Sequence, residues 1–169
     1  MTSSESAAPA ATLPLLLEFY ADKLGTLLRH QAHARLVGQY DANNTYQYIL
    51  NREETHLTWI AAAIAELGGT VPDTVDPHRS PALRGAAAVQ TVIEEDVRDA
   101  QALVDKWRAR VPEMSNARHA KMIQLILGEI LEQKRSFEQA LAGRTDLLGR
   151  RADVLGPAKG EVLPTRWIE

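Results

Sequence analysis

Glu53-Glu54-Thr55-His56 is the segment whose residue types and spacing most directly suggest chemistry. Helical residues three apart share a face, so the Glu53 carboxylate and the His56 imidazole can converge on one cation. Asp96 and Glu129 supply further carboxylates, and Gln31, Glu132 and Gln133 supply substitute or supporting oxygens. Cysteine is absent from the 169 residues. That excludes disulfides, thiol nucleophiles and iron–sulfur clusters, and leaves any metal to nitrogen and oxygen donors. No glycine-rich phosphate loop and no Ser/His/Asp set is visible. His30 and His33 have the spacing to clasp a surface ion, but read first as part of a solvated helix face.

These residues need long helices to position them. Four segments, over 13–39, 44–67, 83–110 and 116–143, carry the apolar period of about 3.6 residues. Convincing strand alternation is missing, so the fold class is all-α. Tyr40-Asp41-Ala42-Asn43-Asn44 and Val111-Pro112-Glu113-Met114-Ser115 are short breaks, and each predicts an antiparallel helical hairpin. The stretch from Gly68 to Gly85 holds three prolines and is longer than a usual helix–helix link. It predicts a crossover between the two hairpins. Residues 1–12 read as a floppy tail, 13–143 as the bundle and 144–169 as an irregular extension that Trp167 and Ile168 could dock.

At about 100° per residue, every segment turns at least one polar side chain toward its apolar arc. Gln31, with Arg35 nearby, centres the arc of the first, and Glu18, Asp22, Arg29 and His33 fall opposite. Glu53 centres the second, with His56 on its edge. Asp96 lies in the third. Glu129 and Gln133 lie in the fourth, with Glu132 on the edge and Leu125 among the expected core residues. Tyr20 and Tyr46 point to the same interior, where tyrosines are ordinarily core residues with a satisfied hydroxyl. Counted from a turn near residue 42, Gln31 and Glu53 are level; counted from one near 114, Asp96 and Glu129 differ by less than about one turn. A polar layer across the bundle is expected. Buried carboxylates need a cation, a proton or hydrogen bonds. The cation is either a metal ion or a basic side chain, with Arg35 the candidate.

Over residues 15–142, and most specifically in Glu53–Gly69 (EETHLTWIAAAIAELGG), the chain resembles the ferritin-like superfamily, the rubrerythrin-like di-iron carboxylate four-helix bundles. Such bundles take a Glu from each of two helices and an E-x-x-H from each of the others. The resemblance implies Glu53 and His56 as the first E-x-x-H, Asp96 as the third-helix acid and Glu129 as the fourth-helix acid. Gln31 stands where a first-helix Glu belongs, and the fourth helix has no E-x-x-H. Two readings follow: an iron or manganese protein acting on O₂, peroxide or Fe²⁺, or a metal-free structural or interaction protein with a buried ion-pair layer.

The composition bounds both. With 19 Lys and Arg against 22 Asp and Glu, the net charge of -3 argues against nucleic acid as a partner. The apolar run Leu13–Leu17 contains Pro14 and is far too short to span a membrane. Residues 1–12 lack the basic start of a signal peptide, so a cytoplasmic protein is expected. An unpaired face with Trp59, Ala62 and Ala63 suggests a homodimer.

Overall fold

The computed structural model describes residues 12–72 and 84–144. Its elements are α1 (Thr12–Ala34), α2 (Tyr40–Glu66), α3 (Ala86–Arg110), a 3₁₀ turn (Val111–Glu113) and α4 (Ala117–Leu141). The all-helical expectation holds, and four helices pack together as a bundle. Residues 73–83 of the stretch expected to cross over, the N-terminal tail up to residue 11 and the extension from 145, including Trp167 and Ile168, lie outside the described residues.

The first break falls earlier than the sequence suggested. Gln39, not the Asp/Asn run, caps α2, its side-chain oxygen accepting from the Ala42 amide at 2.6 Å. Asp41 lies in the first turn, where a carboxylate favours the helix dipole. Asn43 sits inside α2, fully buried, and its amide reaches back to the carbonyls of Ala34 and Val37 at 3.3 and 3.4 Å. A residue read as a turn former therefore satisfies carbonyls at and beyond the end of α1 from within the next helix. The later break is where it was expected. Asn116 caps α4 by accepting from the amides of Arg118 and His119 at 3.0 and 3.1 Å.

Contacts between α1 and α2 run from Ala34 beside Asn43, through Lys23 beside Glu53, to Leu13 beside Gly69. At Gly69 a Cβ would lie 2.6 Å from Leu13 Cδ1 and 3.0 Å from Ile64 Cγ2, so a larger residue there would make the Leu13 side chain move aside. The same end of α1 is tied across the bundle, where the Thr12 and Ser115 hydroxyls lie 3.0 Å apart, and mid-helix the Trp107 indole N–H donates to Asp22 at 2.7 Å.

Two apolar clusters fill the interior. One holds Leu16, Phe19, Ile60, Ile64, Trp107 and Ile123; the other holds Leu27, Tyr46, Ile49, Leu50, Val92 and Phe137. Lys23, Glu53 and His56 lie along the helices between them, with no exposed surface.

Several register expectations are overturned. The buried stripe of α1 is Leu15, Leu16, Phe19, Lys23, Thr26, Leu27, His30, His33 and Ala34, rather than the one centred on Gln31. Leucines occur on both sides of this helix, so hydropathy alone does not choose between stripes. The chosen one contains three ionisable residues because α2 and α3 supply their partners. Arg35 is exposed, and Gln31 and Tyr20 are only half-buried. On α4, Leu125 is 55% exposed instead of buried, and Glu132 faces solvent. Of the suggested dimer face, Trp59 is half-buried, Ala62 exposed and Ala63 buried.

Candidate functional site: a buried charge layer

The layer is built around two carboxylates that the sequence placed correctly in the core. Glu53 of α2 and Asp96 of α3 have no exposed surface. What surrounds them differs from the expected ligand cage.

Glu53 is neutralised by Lys23 of α1, whose ammonium donates to Glu53 Oε2 in a short, fully buried ion pair. Burial works against both charges. It pushes the Glu53 carboxyl up, but the Lys23 charge and hydrogen bond more than offset this and hold it below its usual range. Burial leaves the Lys23 ammonium below the usual lysine value, with Glu53 opposing the fall. Lys23 was missed because the turn was misplaced. Moving the turn about four residues toward the N-terminus moves the residue facing Glu53 by about eight, from Gln31 to Lys23. Arg35, the expected counter-ion, lies beyond the end of α1.

Asp96 is held by residues of two helices, α1 and α2. His33 Nδ1 lies 2.9 and 3.0 Å from its two oxygens, and the Tyr46 hydroxyl donates to Oδ2 at 2.5 Å. Arg29 Nε is 3.4 Å from Oδ1, and His30 Nε2 is 3.5 Å from it. Burial raises the Asp96 carboxyl, but His30, His33 and Tyr46 together overcome it and set the group below its usual value. In return, burial and the adjacent carboxylate push the Tyr46 phenol well above its ordinary value. His33, expected on the solvated face, is therefore a core residue whose partner lies 63 residues away.

Glu129 of α4 is half-buried and takes a forked pair from Arg52, at 2.7 to 2.9 Å, together with His56 Nε2 at 2.9 Å. Burial raises this carboxyl as well, and the bonds from Arg52 and His56 hold it low. Burial also lowers His56, as it lowers fully buried His30. Glu132 stands apart in an exposed pair with Arg135. Gln133 is buried, and its amide nitrogen has no hydrogen-bond partner. A cavity of about 280 Å³ between α2 and α4 is lined by Arg52, Glu129, Glu132 and Gln133 among others.

The ligand set implied by the resemblance is thus divided. Glu53, His56 and Glu129 lie toward one side of the layer, Asp96 is enclosed by α1 and α2, and Gln31 takes no part. Among the described residues, no group of three or more His, Asp or Glu is placed to hold a metal ion. The donor chemistry agrees: one Glu53 oxygen is taken by an ammonium, both Asp96 oxygens by His33 and Tyr46, and both Glu129 oxygens by Arg52. A two-metal centre does not fit these side chains as they are paired. No helix among the described residues is long and apolar enough to cross a membrane.

No protein-family model matches the chain, and no curated protein matches it.

Proposed function

We propose that the chain is a ferritin-like bundle of two helical hairpins joined by a crossover, in which a lysine supplies the cation that the buried carboxylates require. It acts as a metal-independent structural or interaction protein. The observation that carries this reading is the fully buried Lys23–Glu53 pair, which sets a lysine amine against the one carboxylate central to the E-x-x-H segment. An ammonium there satisfies Glu53 electrostatically and repels a divalent ion from the same place. The Asp96 cluster is likewise closed by His33, Tyr46 and Arg29 without an ion.

A second reading, an iron or manganese protein acting on O₂, peroxide or Fe²⁺, has one feature in its favour. Glu53 Oε1, His56 Nδ1 and both ring nitrogens of His30 are buried without a hydrogen-bond partner. Such atoms are where an ion or a water would bind.

Metal content separates the two. After anaerobic loading with Fe²⁺ or Mn²⁺ and desalting, the wild-type chain is expected to retain well under one equivalent, unchanged in Glu53→Ala and Glu129→Ala. Retention of about one or two metals per chain, lost in both variants, overturns the metal-independent reading.

A further inference from the structure

The outer face of α4 carries a second pattern, independent of the charge layer. Arg118, Lys121, Leu125, Gly128, Glu132 and Arg135 are all exposed and are spaced alternately three and four apart. That is the spacing of a helix–helix seam. At its centre Leu125 is 55% exposed, the most exposed large apolar side chain among the described residues. One turn later, Gly128 leaves a notch, since a Cβ built there meets nothing within 4 Å. Open apolar grooves flank the seam. One of about 710 Å³ is formed by Trp59, Met122 and Leu125, and another of about 670 Å³ by Ala120, Leu127, Gly128 and Leu131.

We propose that this face is where a second copy of the chain docks, with the two α4 helices antiparallel about a two-fold axis between Leu125 and Gly128. The residues themselves select that occupant. Folding the seam back on itself about this axis sets Leu125 of each copy against Gly128 of the other, a knob against a notch. The same register sets Lys121 against Glu132 on both sides. Lys121 forms no ion pair with a described residue of its own chain. Among the described residues, Glu132 has only the weak exposed ion pair with Arg135, at 3.3 Å. At the ends, Arg118 meets Arg135; Arg118 is already bound by Glu66 at 2.7 Å, and Glu132 then lies between Arg135 of its own chain and Lys121 of the other copy. A two-fold interface must be self-complementary in this way, with residue i meeting j and j meeting i.

The test is sedimentation equilibrium of the full chain over a wide concentration range. A concentration-dependent rise from monomer toward twice the monomer mass is expected. Leu125→Glu should abolish it while leaving helical circular dichroism unchanged. Lys121→Glu and Glu132→Lys should each weaken association by roughly tenfold, and the double charge swap should recover most of the loss. Four results overturn the proposal: a monomer at every concentration, a dimer indifferent to Leu125→Glu, a charge swap no tighter than its single variants, or dimerisation only after removal of residues 145–169. The last would give the face to the chain's own C-terminal segment.

Discussion

Lys23→Met is expected to lower the unfolding free energy at neutral pH by about 3–5 kcal/mol, because it leaves Glu53 as an unpaired charge in the core. Methionine fills much of the lysine stem, so the loss is electrostatic more than steric. Urea unfolding followed by circular dichroism measures it. The pH dependence distinguishes this from a packing defect. Burial raises the Glu53 carboxyl and Lys23 is the largest influence opposing it, ahead of His30 and His56, so without Lys23 its folded-state pKa is expected to rise above the unfolded value. A group raised in this way is stabilising below its unfolded pKa and loses that contribution as pH rises, so the variant's deficit relative to wild type should shrink on acidification from pH 7 toward about 5. Lys23→Met combined with Glu53→Gln should recover much of the loss, since removing both partners leaves no buried charge. A cost under about 1 kcal/mol for Lys23→Met would place the pair with ordinary exposed ion pairs and contradict its burial.

Asp96→Ala is expected to cost a similar amount, about 3–5 kcal/mol, since it removes the buried carboxylate that His33 and Tyr46 bond and that Arg29 approaches, although Arg29 keeps Asp99 and His33 keeps Glu95. Asp96→Asn should cost less, because an amide oxygen can still accept from Tyr46. The acid limb of the stability curve reads the same cluster. Asp96 has a folded-state pKa below its usual value, so its contribution is complete above about 4 and is lost as pH falls through the lowered value. His30 and His56 are also lowered, by burial, and stay neutral in the fold while the unfolded chain protonates below about 6.5. Stability of the wild type should therefore erode in two stages. The first, from near pH 6.5, comes from the histidines. The second, below about pH 4, should be shallower in Asp96→Asn but not absent, because Glu53 and Glu129 are also held below their usual values. An acid limb identical in wild type and Asp96→Asn would remove Asp96 from the layer.

The helices and two of the central acids were legible in the sequence, because both follow from a period that each segment carries by itself. Glu53 and Asp96 are buried where their arcs placed them, and Asn116 caps α4 at the expected break. The counter-ion was not legible, because pairing across helices depends on where the chain turns. Asp41, Asn43 and Asn44 read as a turn, yet Asn43 closes the end of α1 from inside α2. That displaced turn carried the residue opposite Glu53 from Gln31 to Lys23. His30 and His33 were misread for a related reason. Hydropathy penalises a charged or polar residue in a core arc, and only partners on other helices remove the penalty. Leu125 is the converse error, since an apolar residue near the arc of α4 was counted as core although the described residues leave it 55% exposed.

The built-in counter-ion is tested most directly by ¹⁵N-edited NMR of the lysine ammonium groups at neutral pH. Lysines on the surface exchange their ammonium protons with water too fast to show resolved cross-peaks, whereas a buried ammonium bonded to a carboxylate is protected. One protected ammonium signal is expected in the wild-type chain, absent in Lys23→Met and shifted or lost in Glu53→Gln. A spectrum with no protected lysine, or with one that survives Lys23→Met, would contradict Lys23 as the cation that completes the charge layer.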